Sequence, residues 1–417
     1  MNLTKLSWKN LQAKPLATFL SLLLLAMGVG IISILLLLNK QMKDKFTQNI
    51  KGIDMVIGAK GSPLQLILSS IYQVDYPTGN ISFGEVNKLI RSPLIKQGIP
   101  LAYGDSYRSF RIVGTRPSYL EHYKVAFESG RIWGVESQLE VAIGATVAAD
   151  LGLKIGDTFI SSHGLVDDRH QHEEQLFEVV GILAASNSVV DQLILTNLES
   201  VWAVHEEGHN HGHHKHEDRH HNHEHEPDKK EMESQKDRNI TAMLVSFRSP
   251  MGMVQLPRRI NHQTKMQAAL PVVEVNRLLG LLGVGIDTLR AIAVAIMLIS
   301  GVSVFVSLYN SLKDRQYELA LMRTLGASRW QLFLSIIQES MWLSILGFGL
   351  GMLLSRLGFW LLSSMAAESY HYTFSVWTLL SAEGILFLVT LLIGFLAALI
   401  PALRAFNLNI SKTLTGA

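Results

Sequence analysis

Hydrophobic and polar positions divide the chain into four long apolar segments and one long polar stretch. The first apolar segment, residues 15–39, contains no charged residue. As a helix it would rise about 1.5 Å per residue, enough to cross a hydrocarbon core of about 30 Å. Three more apolar segments, 283–312, 331–366 and 377–403, follow the polar stretch. The pattern therefore predicts an α-helical membrane protein with four transmembrane helices.

The polar stretch, residues 40–280, has the pattern of a large α+β domain inserted between the first and second membrane helices. Short β-like runs are predicted at 111–113, 139–143, 158–161, 177–183 and 193–196. A short helix should end near Leu151, with Gly152 as a left-handed cap. The apolar segment 63–72 is too short to span a membrane. Its sequence is compatible with a core helix or with an interfacial helix.

The distribution of basic residues predicts the orientation of the chain. Lys5, Lys9 and Lys14 precede the first span without any acidic residue, and basic residues exceed acidic ones in segment 313–330. The positive-inside rule places such short basic segments in the cytoplasm. We therefore expect the termini, 1–14 and 404–417, to be cytoplasmic, segment 313–330 to be a cytoplasmic helix, and the α+β domain to be periplasmic at a bacterial inner membrane.

Composition excludes several kinds of chemistry. Hydrophobic residues make up 48% of the chain and charged residues 17%, the net charge is +2, and there is no cysteine. This net charge does not favour nucleic-acid binding. The absence of cysteine excludes disulfides, thiolate metal sites and cysteine nucleophiles. Segment 58–62 resembles a phosphate loop but lacks its spacing, and no nucleophile elbow or His-Glu-x-x-His motif occurs. We expect a non-catalytic chain with no intrinsic cofactor.

Three ionisable residues, Glu339, Arg356 and Glu383, lie in or near the predicted spans. Charge inside a membrane is costly and indicates a functional site by default. Alternatively, such side chains lie near the interfaces, where they reach the headgroups or pair across helices. Their estimated depths favour the second interpretation, and no substrate path is assigned to them.

The most unusual composition lies in a histidine-rich insertion, 205–238. Imidazoles interleaved with carboxylates suit zinc, nickel or copper, whereas the lack of apolar residues predicts a disordered segment that binds several ions without one fixed geometry. A solvated low-complexity loop is the alternative. His163, His170 and His172 form a weaker candidate set. The candidate ligands of the insertion are His205, His209, His211, His213, His214, His216, His220, His221, His223 and His225.

Segment 315–329 has the pattern of a short helix joined to the third span. Leu319, Met322 and Leu325 are spaced about one helical turn apart, Gly326 should end the helix, and Ser328-x-x-Gln331 is a capping box. Such a helix could transmit force from a cytoplasmic partner, or it could only pack against lipid headgroups. The candidate coupling residues are Arg315, Glu318, Leu319, Met322, Arg323, Leu325 and Gly326.

The same segment resembles the cytoplasmic signature of FtsX-like, MacB-type ABC transporter permeases. Residues 6–18 are similar to that family's entry into the first span, 151–157 with 177–182 to its periplasmic domain, and 400–405 to the exit of its last span. The resemblance implies a permease that works as a homo- or heterodimer with separate ATPase subunits, which use the ATP. It also implies movement of the periplasmic domain, with lipoprotein release, efflux through an outer-membrane partner and activation of cell-wall hydrolases as known uses.

The leading hypothesis is therefore the transmembrane subunit of a mechanotransmitting ABC complex that exports or releases a substrate and has a link to zinc. One rival is a zinc or divalent-metal uptake permease, although the spans contain no histidine or aspartate cluster that could line a path. The other rival is a non-transporting scaffold that senses metal. The histidine-rich insertion is not part of the family's general pattern, so the resemblance does not identify the cargo.

Overall fold

The computed structural model describes residues 9, 12, 15–134, 137–162, 171–210, 238–370 and 375–407. Side chains are not described for 17, 162, 171–175, 205–210 and 366–370. The chain separates into two compact units. One comprises Met1–Lys43 with Leu281–Ala417, and the other comprises Asp44–Gly280.

The first unit contains the four apolar helices and one short helix. Helix α1 is Pro15–Asn49, α8 is Pro271–Asp314, α9 is Gln316–Thr324, α10 is Arg329–Tyr370 and α11 is Ser381–Phe406. Among the described residues, α1, α8, α10 and α11 are long and apolar enough to cross a membrane. Both α1 and α8 extend beyond the segments that the sequence predicts as membrane-spanning.

Small residues allow the helices of this unit to pack closely. A Cβ atom on Gly351 of α10 would lie 2.7 Å from Val29 Cβ and 2.8 Å from Ala26 O of α1, so only glycine fits at this crossing. On α11, Gly394 lies against α10, where its carbonyl accepts a hydrogen bond of 2.6 Å from Ser340 Oγ. In a membrane, the surrounding lipid provides no hydrophobic driving force for helix association. Close backbone approach of this kind is how membrane helices gain packing contacts instead.

The second unit is built on a ten-stranded mixed sheet. Its strands are β1 Met55–Ala59, β3 Ile95–Tyr107, β4 Phe110–Gly114, β5 Phe127–Gly130, β6 Glu140–Ile143, β7 Thr158–Ser162, β8 Gln171–Leu183, β9 Leu193–Thr196, β11 Ala242–Phe247 and β12 Met266–Ala269. The order is β12-β1-β11-β3-β4-β9-β6-β8-β5, with β7 pairing to β3 and β8. Strands β2 Ile81–Ser82 and β10 Asn239–Ile240 form a separate pair.

Helices cover both faces of this sheet. They are α2 Pro63–Ser70, α3 Phe83–Ile90, α4 Ser118–Tyr123, α5 Ala145–Leu151, α6 Leu198–Asn210 and α7 Met251–Gln263, and a short 3₁₀ helix occupies Val189–Gln192. Alternation along β1 divides the core: Val56 belongs to one buried cluster, whereas Met55 and Ile57 belong to another. This period of two is what places successive strand residues on opposite faces.

Several sequence predictions about the second unit are confirmed. All five predicted β-like runs coincide with strands, β4, β6, β7, β8 and β9, and only the run 139–143 begins one residue before its strand. Helix α5 ends at Leu151, and Gly152 follows it with a φ of 67°. The open alternative for 63–72 is resolved, because α2 buries Leu66 and Ile67 in the core of the domain. Gly58 lies within β1, and Ser62 caps α2, so segment 58–62 is structural.

Candidate functional site

Helix α9 forms a sharply bounded connection between α8 and α10. Gly326 follows it with a φ of 101°, a conformation that favours glycine. The predicted capping box is confirmed, because Gln331 N donates to Ser328 Oγ at 3.2 Å and Ser328 N donates to Gln331 Oε1 at 2.9 Å. The orientation of α9 is therefore fixed at its junction with α10.

One side of α9 is packed onto the helical bundle. Leu319 and Ala320 are buried, and Met322 packs beside the same cluster. That cluster contains Leu308 of α8 and Ile336 of α10, together with three alanines of α11. Helix α9 is therefore packed directly against α8, α10 and α11.

The other side of α9 exposes apolar side chains. Tyr317 is 54% exposed, Leu321 47% and Leu325 82%. Leu325 lies just beyond the last helical residue, so the three predicted apolar positions do not share one face: Leu319 and Met322 point to the bundle, and Leu325 points away. The sequence reasoning missed Tyr317 and Leu321, although their spacing of four residues places them on one face.

The polar candidates of α9 have two different environments. Arg315 Nε donates to Glu318 Oε2 at 3.0 Å, an exposed pair on one turn. Arg315 also lines a cavity of about 20 Å³ with Ser335 and the buried carboxyl group of Glu339. A cavity of this size holds about one water molecule. The arrangement is a polar contact at the junction of α8, α9 and α10.

The far end of the bundle holds a buried polar network around Glu383 of α11. Arg356 of α10 donates to both carboxylate oxygens, at 2.8 and 2.9 Å, and Ser33 of α1 donates to Oε1 at 2.9 Å. Leu380 N donates to Oε2 at 3.1 Å, and Ser355 Oγ donates to Ser33 Oγ at 2.9 Å. The prediction that these charges pair across helices is confirmed for Arg356 and Glu383.

A second contact links α1 to the segment just before α11. The side-chain amide of Gln41 accepts from Ser375 N at 3.0 Å and donates to Ser375 O at 2.7 Å. It also donates to Thr378 Oγ1 at 3.2 Å. Helix α1 is therefore joined by hydrogen bonds to the α10–α11 pair at two levels.

Helix α8 makes its interhelical polar contacts nearer the opposite end of the bundle. Ser303 Oγ lies 3.0 Å from Ser21 Oγ of α1. Tyr309 accepts a hydrogen bond from Arg404 of α11, whose guanidinium lies 4.7 Å from the tyrosine ring centroid. The two sets of contacts thus lie at opposite ends of the helices.

Titratable groups in the second unit are engaged in structural contacts. Arg111 is buried, donates to Asp75 O at 3.0 Å, and lies 4.7 Å from the Tyr103 ring centroid. Burial raises the pKa of Tyr103 to about 12, against the opposing effect of Arg111, and its hydroxyl donates to Ser69 O. These groups hold the segment that follows α2. They do not pair a nucleophile with a base.

Most of the predicted metal ligands lie outside the described residues. His163, His170 and the eight histidines from His211 to His225 are in this group. The backbone of His205 and His209 belongs to α6, and that of His172 to β8. Among the residues that the structure describes, no group of three or more metal-ligating side chains occurs.

Comparison with known proteins gives two family matches. Residues 18–247 match the MacB-like periplasmic core domain, and residues 290–410 match the FtsX-like permease C-terminal domain. No curated protein gave a significant match. Together the two models span most of the chain, in the order expected from the sequence.

Two solved structures are similar to part of this chain. The periplasmic region of MacB from Actinobacillus actinomycetemcomitans is 12% identical, covering 56% of this chain and 97% of its own, with a TM-score of 0.34. The extracellular domain of the noncanonic ABC-type transporter YknZ from Gram-positive bacteria is 13% identical, covering 51% of this chain and 98% of its own, with a TM-score of 0.31. Family membership rests on the family models.

The chain belongs to the family of FtsX-like ABC transporter permeases with a MacB-like periplasmic core domain. Members are non-catalytic transmembrane subunits without an intrinsic cofactor. They work with an ABC ATPase, generally as dimers. The resemblance stated from the sequence is thereby confirmed at the level of the family and of a transporter permease role.

Proposed function

We propose that this protein is the inner-membrane subunit of an ABC complex that converts ATP hydrolysis by a separate ATPase into movement of its periplasmic domain. Both termini and α9 face the cytoplasm, as the basic residues of the short segments favour. The movement exports or releases a substrate. Helices α1 and α8 are the chain connections between the two units, so force reaches the periplasmic domain through them.

The two-sided packing of α9 is the observation that carries this proposal. Leu319 and Ala320 anchor the helix in the bundle, while Tyr317, Leu321 and Leu325 remain exposed. Exposed apolar and aromatic side chains on a rigid element are suited to a protein interface, since a few such residues carry most of the binding energy. The exposed side of α9 is therefore the proposed docking surface for the ATPase, and its anchored side is the route to the membrane helices.

The hydrogen bonds of the bundle support different mechanical roles for different helices. The Glu383 network and Gln41 join α1 to α10 and α11, whereas α8 is joined to α1 through Ser303 and to α11 through Tyr309. In this mechanism α1, α10 and α11 move as a frame. Helix α8 is the lever, whose far half shifts relative to that frame when α9 is displaced.

The docking surface is tested with Leu325→Asp in the purified permease–ATPase complex in nanodiscs. Burying an unpaired carboxylate at an interface costs several kcal/mol, so permease-stimulated ATP turnover and ATPase association should fall at least about tenfold. The matched control is Leu379→Asp, because Leu379 is equally exposed, at 83%, before α11. Unchanged turnover with Leu325→Asp would show that α9 is only a lipid-facing connector.

The orientation is tested by reporter fusions at Asn187 and at Asp314. A periplasm-active reporter should function at Asn187 and fail at Asp314, and a cytoplasm-active reporter should show the reverse. Identical behaviour at both positions would contradict the orientation. This experiment is independent of the ATPase, so it separates an error in topology from an error in the docking surface.

The histidine-rich insertion supports a second proposal, that the periplasmic domain binds zinc. Its two ends are held together, because Trp202 Nε1 donates to Asn239 O at 2.7 Å and the Arg238 guanidinium lies 4.8 Å from the Trp202 ring centroid. The insertion can therefore be removed without separating the elements that flank it. Deleting 205–225 should remove most bound zinc and leave the unfolding temperature unchanged.

Zinc binding should have the properties of many interchangeable sites. We expect several ions per chain, with binding lost below about pH 6 as the imidazoles become protonated. Isothermal titration of wild type and of the 205–225 deletion measures both. Equal zinc binding by the two would refute the proposal. Assays of ATP turnover with and without zinc, and of zinc flux, distinguish mechanotransmission from an uptake permease and from a sensing scaffold.

A further inference from the structure

One side of the periplasmic domain carries an unbalanced positive charge. Helices α3 and α7 pack onto the same buried cluster, α3 through Phe83 and Val86 and α7 through Leu256 and Ile260. They therefore cover the same face of the sheet. Their outward sides and the adjoining turns expose six basic side chains, which we call the basic face: Lys88, Arg91, Arg248, Arg258, Arg259 and Lys265.

Very little negative charge accompanies the basic face. Segment 239–273, which contains four of its residues, has no aspartate or glutamate at all. The exposed acidic residue of α3 is Glu85. In the part of the chain that the structure describes, none of the six basic side chains forms an ion pair or a side-chain hydrogen bond. Their donors are thus available to an external group.

The outward side of α7 combines this charge with exposed apolar atoms. Met251 is 54% exposed and Val254 73%, and they lie about two turns and about one turn before Arg258, respectively, on the same side of the helix. Methionine adapts its shape to a partner, and arginine binds carboxylates through two parallel hydrogen bonds. The combination matches an acidic protein surface with some apolar content.

A lipid surface fits these residues less well. Helices that lie in a membrane interface insert a continuous face of large apolar residues. The large apolar residues of α7, Leu256 and Ile260, are instead buried inside the domain. The exposed large apolar side chains of α7 are those of Met251, Met253 and Val254, so little apolar area remains for insertion.

We propose that the basic face, centred on Arg258 and Arg259, is the docking site for an acidic surface of a partner protein outside the membrane. This interaction is separate from the ATPase docking surface on α9. Charge complementarity would set the approach and register of the partner, and the exposed side chains of α7 would supply the apolar contact.

The test measures binding of a fluorescein-labelled octaglutamate peptide to the full-length protein in phosphatidylcholine nanodiscs, by fluorescence anisotropy. Binding should be strong at low salt and weaken as salt screens the charges. Arg258→Glu/Arg259→Glu should weaken it at least about tenfold, because two attractive charges become repulsive. Thermal unfolding should be unchanged, since both side chains are exposed.

The matched control is Lys51→Glu/Lys154→Glu, which changes the net charge equally with exposed lysines outside the basic face. It should alter binding less than about twofold. An equal loss in the two variants would attribute binding to net charge and overturn the proposal. Binding of vesicles containing phosphatidylglycerol, without binding of the peptide, would instead identify a lipid surface and would also overturn it.

Discussion

Two arginine–glutamate pairs with similar hydrogen-bond lengths occupy very different environments. In the periplasmic domain, Arg131 donates to both oxygens of Glu140, at 2.7 and 2.8 Å. In the helical bundle, the single nitrogen Nη2 of Arg356 donates to both oxygens of Glu383, at 2.8 and 2.9 Å. The Arg131 side chain is 59% exposed, whereas those of Arg356 and Glu383 are 12% and 5% exposed.

Burial decides what each pair contributes, because the bond lengths are nearly equal. Water can replace Glu140 as the partner of Arg131, so the loss of that pair leaves no buried charge. Around Glu383, water is largely excluded, and removal of one partner leaves the other charge uncompensated. The bundle therefore depends on its pair, and the domain uses its pair only to fix a local segment.

The largest effect should come from Glu383→Ala. Leaving Arg356 buried without its partner should lower the free energy of unfolding by about 3–5 kcal/mol. Thermal unfolding of the purified protein in micelles, with hydrogen exchange of α11, measures the change. Glu140→Ala should have a much smaller effect in the same assay.

A double substitution separates charge from packing at this site. Arg356→Leu/Glu383→Leu removes both charges and should recover most of the lost stability, because a buried pair can often be replaced by apolar residues. If the double variant is as unstable as Glu383→Ala alone, the hydrogen bonds from Ser33 and Leu380 carry the stability instead.

Arg356→Lys should have the second largest effect. Lysine keeps the charge, but its ammonium ends a shorter, flexible chain and does not take the position that the planar guanidinium gives to Arg356 Nη2, so one charged hydrogen bond should be lost, at about 1.5–3 kcal/mol. Arg131→Lys is the matched substitution at the exposed pair and should change the unfolding temperature very little. Equal effects of the two substitutions would contradict the role of burial.

Gln41→Ala should have a smaller and more local effect. It removes the hydrogen bonds to Ser375 and Thr378, which are exposed to water, at a cost of about 1 kcal/mol. Hydrogen exchange by mass spectrometry should become faster in segment 375–380 and remain unchanged in α9. Faster exchange throughout the bundle would show that Gln41 supports more than this segment.

The smallest effect at neutral pH should be that of Glu140→Gln, and it should depend on pH. Hydrogen bonds from Arg131 lower the pKa of Glu140 to about 2, despite opposition from burial. A carboxyl group with a lowered pKa stabilises the folded state above its unfolded pKa of about 4.3 and loses this effect as the pH falls towards 2.

Unfolding of wild type and Glu140→Gln, measured between about pH 7 and pH 2, tests this dependence. The difference in stability between them should be constant above about pH 5 and should shrink at lower pH. A difference that does not change with pH would mean that Glu140 acts through packing alone.

The elements of this protein were predictable where a local pattern determines them. The five β-like runs, the cap at Gly152 and the capping box at Ser328 and Gln331 depend on residues a few positions apart. For the candidate site, the sequence predicted the existence of α9 and its end at Gly326. It could not decide which apolar side chains of α9 face the bundle, because a helix of nine residues with apolar positions on several sides has no single core face.

The sequence alone therefore determined where the apolar helices, strands and helix caps lie along the chain. Uncharged runs, periodicity and capping motifs depend on residues that are close together in sequence. The tertiary structure alone decided that Ser33, Arg356 and Glu383 meet, and that Leu319 is covered while Leu325 is exposed. It also decided that two segments far apart in the chain place their basic residues on one face of the sheet. Such outcomes depend on which elements pack together, and no local pattern encodes a contact between residues hundreds of positions apart.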